Sequence, residues 1–235
     1  MTEKIFIVIP TYKEKSNIEK LLKDIFDLKI ENLHILVVDD NSPDGTGQLV
    51  EELKSKYKNL EIIHRPKKMG LGTAYVEGFK YALTNGADFI FEMDADFSHQ
   101  PKSIKDFLSA IKDYDLVLGS RYVEGGRIVN WNIFRRLISR LGNIYAQIIL
   151  SLPIKDLTGG FKCYRRQVLE SINLDDLSSV GYNFQIETTY KVYKLGFKIK
   201  EIPIVFTERA LGKSKFDFKI IFESFLKVIF LKFKK

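Results

Sequence analysis

The stretch KIFIVIPTYKEKSNIEKLLKDIFDL (residues 4–28) decides the fold class. Its first part, residues 4–10, is an apolar run rich in β-branched residues that stops at proline, which is typical of a buried strand. Its second part, residues 16–28, places apolar residues at helical spacing behind Ser16, a preferred N-cap residue. A buried strand followed at once by an amphipathic helix is the unit of a mostly parallel α/β sheet.

Further strands and helices alternate along the rest of the chain. In the first half we predict strands at 34–40, 60–65, 88–94 and 115–120, and helices at 45–57, 72–86 and 101–112. In the second half we predict helices at 130–152 and 182–196, and strands within 156–166 and at 198–206. This pattern favours a Rossmann-like, mostly parallel sheet flanked by helices. We assign residues 1–216 to that α/β domain and residues 217–235 to an appended amphipathic helix.

The composition restricts the partners and the compartment. The 235 residues are 45% hydrophobic, enough for a large core, and carry a formal net charge of +7. That charge suits an anionic partner: a nucleotide, a nucleic acid or the surface of an acidic bilayer. The single cysteine, Cys163, excludes an intrachain disulfide, indicates a reducing compartment and is expected to be a small buried hydrophobe. Neither a signal peptide nor a run of about 18 apolar residues occurs, so we expect no membrane-spanning segment.

Polar residues follow the ends of all five strands of the first half. Because ligands bind outside the carboxyl ends of strands in such sheets, these loops predict one shared cleft. After the first strand, Pro10, Tyr12 and Glu14 offer a backbone carbonyl, a ring that can pack on a base and a hydrogen-bond acceptor. After the second strand, Asp40 can accept hydrogen bonds from a nucleobase or a ribose, with turn capping as the alternative.

The fourth strand leads into MDADFSHQP (residues 93–101), which contains two carboxylates one residue apart. Two such hard oxygen ligands suit Mg²⁺ or Mn²⁺, which bind one or two carboxylates together with substrate phosphates. We therefore predict a metal site at Asp94 and Asp96. The alternative is a helix N-cap and a surface aspartate ahead of Pro101.

The predicted helix 130–152 combines arginines, a serine and an apolar stripe. Arg135 and Ser139 are four residues apart and therefore share one face of the helix. The planar guanidinium of arginine suits phosphate oxygens, so this face is a candidate phosphate site. A solvated basic face is the alternative.

Eight motifs in order carry a resemblance to a known family: IPTYKEKSNI, VVDDNSPDGT, GLGTAYVEGFKYA, MDADFSHQP, GSRYVEGG, DLTGGFKCYRR, GYNFQIE and EIPIVFTERALGKSKF. Together they resemble the polyprenol (dolichol) phosphate mannosyltransferases, inverting family 2 glycosyltransferases of the GT-A fold. The resemblance runs from the first strand to about residue 216. It implies transfer of mannose from GDP-mannose to dolichyl or polyprenyl phosphate, giving a β-linked product, with Mg²⁺ or Mn²⁺ as cofactor.

The resemblance also implies roles for individual residues. The donor nucleotide sugar would be held by Pro10, Tyr12, Glu14, Val38, Asp40, Asp94, Ala95, Asp96, Arg209 and Lys215, the last two as a lid over the diphosphate. The metal ligands would be Asp94, Asp96 and Ser98; relatives often have glutamine at the last position, so the shorter serine would reach the ion through a water. The acceptor phosphate would be held by Arg121, Arg135 and Ser139. The catalytic set would be Asp94, Asp96 and Arg121.

Three alternative functions stay open at this point. The same chemistry with another donor, such as UDP-glucose, is a close second, because the loops spell no clear donor code. A non-catalytic nucleotide- or RNA-binding module would also use the positive charge, although the aromatic and basic strand motifs of common RNA modules are absent. A phosphohydrolase would use the acidic pair as nucleophile, but that pair would then more naturally follow the first strand.

The tail, residues 217–235, has a wide apolar arc and a narrow lysine-rich stripe on a helical template. Such a helix suits the interface of a bilayer, and docking on the protein's own core or on a second subunit is the alternative. We therefore expect a peripheral protein on the cytoplasmic face of a membrane. Its expected partners are the two substrates and the membrane surface but not nucleic acid, with a small membrane subunit or a second copy of the chain as further candidates.

Overall fold

The computed structural model describes residues 2–177, 179, 181–208 and 218–233, with the backbone alone for residues 182 and 218–224. The strands are β1 (Ile5–Thr11), β2 (Leu33–Asp39), β3 (Leu60–His64), β4 (Phe89–Glu92), β5 (Leu116–Ser120), β6 (Arg127–Val129), β7 (Lys162–Arg165), β8 (Ile199–Pro203) and β9 (Val205–Thr207). The helices are α1 (Lys15–Phe26), α2 (Thr46–Lys54), α3 (Leu71–Thr84), α4 (Ile104–Ala110), α5 (Ile133–Leu150), α6 (Arg166–Ser171), α7 (Tyr182–Lys194) and α8 (Phe218–Phe233). Short 3₁₀ turns cover Pro101–Ser103 and Leu174–Asp176.

The central sheet has seven strands in the order β3-β2-β1-β4-β7-β5-β8. Adjacent strands of this sheet run parallel to each other except at β7, which lies between β4 and β5 and is antiparallel to both. The predicted mostly parallel α/β sheet is therefore confirmed. The position of β7 inside the sheet was not predicted, and it brings the loop before β7 close to the ends of β4 and β5.

Helices cover both faces of the sheet, so the strands are buried on both sides. In β1 the side chains of Ile5, Ile7 and Ile9 enter one core and those of Phe6 and Val8 the other. This explains why the strand is an unbroken apolar run rather than an alternating one. A Cβ on Gly78 of α3 would lie 2.3 Å from Val8 Cγ1, so the glycine lets α3 pack directly on β1.

Some predicted boundaries are wrong. Helix α1 begins at Lys15 with Glu14 at the N-cap position, rather than behind Ser16, and no side chain caps it. Strand β4 ends at Glu92, so Asp94 and Asp96 lie in the loop after the strand. The strand predicted at 198–206 is interrupted at Ile204, and its second part, β9, pairs with β6 in a separate two-stranded sheet.

The tail forms helix α8 and packs against the domain with one side. Val228 and Leu231 are buried in the same core cluster as residues of α5 and α7. Tyr145 of α5 donates a hydrogen bond from Oη to the carbonyl oxygen of Phe225 (3.1 Å). The division into 1–216 and 217–235 stays a prediction. Within the described residues, no helix combines the length and apolarity needed to cross a membrane.

Candidate active site

A polar pocket opens at the carboxyl ends of β4 and β5. It is lined by Asp94, Asp96, Ser98, His99, Arg121, Trp131, Arg135, Thr158, Gly159, Gly160 and Phe206. The predicted metal ligands therefore share one pocket with two of the three predicted acceptor-phosphate residues. The third, Ser139, is not part of the pocket lining. Its Oγ accepts a hydrogen bond from Tyr122 Oη (2.8 Å).

The loop after β4 folds so that both carboxylates reach the pocket. Asp94 Oδ1 accepts a hydrogen bond from Tyr75 Oη (3.1 Å), and Asp96 Oδ1 accepts one from the backbone N–H of Ser98 (3.0 Å). Phe97 adopts a left-handed backbone with φ of 61°, which turns the chain sharply between Asp96 and Ser98. Ala95, between the two aspartates, is buried.

The donor atoms of this loop fit a hard divalent cation. Ser98 Oγ is buried beside the two carboxylates and has no hydrogen-bond partner among the described residues, which makes it an orphaned oxygen at the predicted metal position. Carboxylate and hydroxyl oxygens are the ligand type that Mg²⁺ and Mn²⁺ prefer. Among the described residues no group of three or more His, Cys, Asp or Glu could hold a metal, so the candidate ligands of this loop are two carboxylates and one hydroxyl group.

His99 is buried next to the acidic loop and binds its backbone, a role that the sequence did not reveal. Its ring is buried and stacks on Phe161, with 4.9 Å between the ring centroids. Its Nδ1 accepts a hydrogen bond from the backbone N–H of Asp94 (3.1 Å). Burial lowers the pKa of His99, so the ring is neutral and can act as this acceptor.

Arg121 is fixed by a buried ion pair that was not predicted. Asp156 accepts hydrogen bonds from Arg121 Nε (2.7 Å) and Nη2 (2.6 Å), and also from the Arg121 backbone N–H (2.9 Å). Thr158 Oγ1 accepts a further bond from Nη2 (2.7 Å). The guanidinium lies against Trp131 and Phe206, with its Cζ 5.6 Å and 5.2 Å from their ring centroids. Arg121 is therefore rigid, and Asp156 offsets much of its charge.

Arg135 reaches the same pocket from the first turn of α5. Asn132 caps this helix, because its Oδ1 accepts the backbone N–H of Arg135 (2.8 Å). The Arg135 guanidinium stacks on Trp131 with its Cζ 4.0 Å from the ring centroid, and Nη1 donates to Glu208 Oε1 (2.7 Å). The indole of Trp131 thus lies against both arginines of the pocket.

The predicted donor residues lie at the ends of β1 and β2, where Pro10 pairs with Val38 in the sheet register. Val38 is fully buried in β2 between β1 and β3, so none of its atoms is exposed to a ligand in this structure. The Asp40 carboxylate accepts hydrogen bonds from Arg65 Nη1 (2.6 Å) and from the backbone N–H groups of Met69 and Gly70. The sequence did not predict this use of Asp40.

The other donor residues of the first loop have neighbours of their own. The ring of Tyr12 has Lys68 Nζ 4.0 Å from its centroid. Glu14 Oε2 accepts a hydrogen bond from Asn17 Nδ2 (2.7 Å). Arg209 and Lys215, the predicted lid residues, lie outside the described part of the chain.

Comparisons with known proteins are consistent among themselves. The family model "Glycosyl transferase family 2" matches residues 6–172. The undecaprenyl-phosphate mannosyltransferase of Micrococcus luteus is 42% identical over 225 residues, which are 96% of this chain and 92% of that protein. The polyprenol monophosphomannose synthase of Mycolicibacterium smegmatis is 42% identical over 229 residues, or 97% and 86% of the two chains.

Two solved structures share the fold at low sequence identity. A mannosyltransferase from Pyrobaculum calidifontis in complex with GDP-Man and Mn²⁺ has a TM-score of 0.62 and 18% identity, and the match covers 91% of this chain and 59% of that one. Glucosyl-3-phosphoglycerate synthase from Mycobacterium tuberculosis, in complex with Mn²⁺ and UDP-glucose, has a TM-score of 0.66 and 17% identity, covering 97% and 77%.

Proposed function

Because the chain belongs to glycosyl transferase family 2, with the polyprenol phosphate mannosyltransferases, and is therefore a glycosyltransferase, we propose that it moves mannose from GDP-mannose to a polyprenyl or dolichyl phosphate. One observation carries the proposal. A single pocket brings the acidic pair Asp94 and Asp96 together with two arginines, Arg121 and Arg135. Such a site can hold two anions, a metal-bound diphosphate and a monophosphate, close to each other.

The donor side of the pocket would hold the diphosphate of the nucleotide sugar through a divalent cation. Asp94, Asp96 and Ser98 are its ligands in this proposal, with Mg²⁺ or Mn²⁺ as the ion. A bound cation supplies positive charge to the diphosphate as it leaves the sugar. The Mn²⁺ complexes of the two structural neighbours support a divalent ion in this fold. The nucleoside would be held by the ends of β1 and β2 and by the loops after them, which contain Pro10, Tyr12, Glu14, Val38 and Asp40.

The acceptor side would hold the lipid phosphate with Arg135 and Arg121. Since Asp156 already offsets the charge of Arg121, Arg135 contributes more to attracting the phosphate. Glu208 must release Arg135 before that arginine can bind the phosphate. A phosphate monoester has a second pKa of about 6, so its oxygen is a nucleophile at neutral pH and needs no general base. Catalysis then consists of in-line positioning and charge stabilisation. Attack from the face opposite the leaving diphosphate would invert the anomeric carbon and give the β-linked product.

The lipid chain would lie along an exposed apolar surface next to the pocket. This apolar surface comprises Ile133, Phe134, Leu137, Leu141, Ile144 and Ile148 of α5 and Leu226, Ile229, Phe230 and Phe233 of α8. Contiguous apolar surface of this kind marks a membrane or protein contact. Arg135 lies on the same helix, so a phosphate at the bilayer surface would be within its reach. We therefore propose peripheral binding to the cytoplasmic face of a membrane, and a second subunit on this surface is the alternative.

The decisive experiment is a transfer assay with GDP-mannose, UDP-glucose and other nucleotide sugars and a polyprenyl phosphate in vesicles. We expect transfer from GDP-mannose only, stimulation by Mg²⁺ or Mn²⁺, loss with EDTA and a β anomer by NMR. Asp96→Ala should lower kcat by about 100-fold or more, because Asp96 would hold the cation whose positive charge stabilises the leaving diphosphate. Asp106→Ala, at an exposed position on α4, is the matched control and should leave the rate unchanged.

Full activity of Asp96→Ala, or in the presence of EDTA, would contradict the metal assignment. Preference for UDP-glucose would leave the reaction type intact and replace the donor. A non-catalytic RNA-binding module and a phosphohydrolase, the other two alternatives, do not agree with membership of a glycosyltransferase family.

A further inference from the structure

The motif GLGTAYVEGFKYA (residues 70–82) contains a side chain that reaches the acidic loop. The tyrosine of this motif, Tyr75, lies on α3, fully buried, and donates a hydrogen bond from Oη to Asp94 Oδ1 (3.1 Å). The sequence predicts a helix at 72–86 for this segment but no contact with the acidic loop. In the structure, α3 delivers a phenol to one of the two aspartates that we assign to the metal.

The ring of Tyr75 cannot move easily. It stacks on Phe79 of the same helix and on Phe184 of α7, with 5.9 Å between ring centroids in each case. A Cβ on Gly72 would lie 2.8 Å from Phe184 Cδ2, so the glycine gives Phe184 the space it needs beside α3. Packing of this density fixes the position of the hydroxyl group.

The hydroxyl group also keeps its proton. Burial, together with the negative charges of Asp94 and Glu92, raises the pKa of Tyr75 well above its usual value of 10. The phenol is therefore the donor of the hydrogen bond to Asp94 at neutral pH.

The hydrogen bond gives different surroundings to the two oxygens of Asp94. Oδ1 faces Tyr75, whereas Oδ2 lies on the side of Gly160, where a Cβ on that glycine would be 3.7 Å away. Gly160 is part of the pocket wall. Oδ2 therefore lies on the pocket side of the carboxylate, where it could bind a divalent cation of the kind that takes one or two carboxylates together with phosphate oxygens.

We propose that Tyr75 is a positioning residue for the metal site, which holds Asp94 through Oδ1 so that Oδ2 binds the divalent ion. The inference rests on the proposed function, because it assumes that Asp94 is a metal ligand. Partners of this kind orient the ligand and typically contribute about 10- to 100-fold in metal affinity. The residue acts through Asp94 and does not touch the substrate.

The test is a titration of the full chain with MnCl₂ in the presence of saturating GDP or, in a separate series, UDP, with free Mn²⁺ followed by EPR. Tyr75→Phe removes one oxygen atom and keeps the stacked ring. We expect its Mn²⁺ affinity to fall by about 10-fold or more, while its melting temperature without metal stays close to that of the wild type. In the transfer assay, the Mn²⁺ concentration for half-maximal rate should rise more than kcat falls.

Tyr145→Phe is the matched control. Tyr145 also donates one hydrogen bond from its hydroxyl group, but to the Phe225 carbonyl oxygen at the contact of α5 and α8, away from the pocket. Its Mn²⁺ affinity should equal that of the wild type.

Mn²⁺ affinities of Tyr75→Phe and the wild type within twofold of each other would overturn the inference and leave the metal site standing. A wild-type chain that binds no Mn²⁺ with either nucleotide would overturn both. If Tyr75→Phe does not fold, Phe184→Leu loosens the stack on the tyrosine ring and should also weaken Mn²⁺ binding. Unchanged affinity in that variant would then refute the positioning role.

Discussion

At the scale of single residues, the pocket depends on charges that are buried and paired. Arg121 and Asp156 have 4% and 0% of their side chains exposed, so neither charge is solvated by bulk water. Removing one member of such a pair leaves the other charge uncompensated, which costs more than the pair itself contributes. The ion pair therefore fixes the geometry of the pocket and at the same time makes the fold sensitive to its loss.

Asp156→Asn tests this dependence. We expect the free energy of unfolding to fall by about 3 kcal/mol, because a buried guanidinium loses its counter-charge. Urea denaturation followed by circular dichroism measures the change. Asp113→Asn, at an exposed position, should stay within about 0.5 kcal/mol of the wild type. A loss below about 1 kcal/mol in Asp156→Asn would mean that the pair is better solvated than its burial indicates.

At the scale of elements, α5 serves the pocket and the apolar surface together. Its buried side contains Asn143, Ala146 and Leu150, while its outer side exposes the apolar residues that continue onto α8. Asn143 Oδ1 accepts the backbone N–H of Leu157 (2.7 Å), which ties α5 to the segment between Asp156 and Thr158. The outer side of α5 therefore belongs to the helix that carries Arg135. The same helix is hydrogen-bonded to the segment whose Asp156 holds Arg121.

The double variant Ile148→Glu with Phe230→Glu tests the apolar surface. Both side chains are 70% exposed and lie in the apolar surface, so the fold should be retained while the affinity for a bilayer falls. We expect at least about a 10-fold loss of binding to anionic vesicles in a sedimentation assay, since two apolar side chains that would enter the bilayer are replaced by charges. The rate with a short, water-soluble polyprenyl phosphate should not change.

Leu195→Glu is the control for this variant, because Leu195 is also exposed (52%) but lies at the end of α7, outside the apolar surface. It should bind vesicles like the wild type. If the double variant binds vesicles normally but changes the oligomeric state in sedimentation velocity, the apolar surface is a contact between copies of the chain.

At the scale of the whole molecule, the sheet is a continuous layer between two cores, and β7 is part of its centre. The single cysteine lies on this strand, fully buried, as the sequence predicted. Burial raises the pKa of the Cys163 thiol well above its usual range, so the thiolate is suppressed at neutral pH. The thiol can therefore react only when the sheet opens.

Cys163 thus provides a probe of global unfolding. With an aromatic disulfide reagent at pH 8, we expect no measurable reaction of the native protein and one equivalent in 6 M guanidinium chloride. At intermediate denaturant, the reactive fraction should follow the unfolding curve from circular dichroism, because the centre of the sheet opens only with the whole domain. Rapid labelling of the native protein would indicate that β7 opens locally.

The sequence determined the features that depend on neighbouring residues. Apolar runs and helical spacing placed the first five strands, and the polar loops after them predicted the cleft, because period and turn chemistry are local properties of the chain. The motifs also indicated the family. Boundaries were less well determined: α1 begins before Ser16, and β4 ends before Asp94.

Only the tertiary structure decided which distant residues meet. The antiparallel insertion of β7, the pairing of Arg121 with Asp156, the use of Asp40 by Arg65 and the hydrogen bond from Tyr75 to Asp94 all join parts of the chain that are far apart in sequence. A residue type states what a side chain can donate or accept, but not which of many compatible partners it meets. That choice follows from the order of the strands and the packing of the helices on them, which the whole chain determines together.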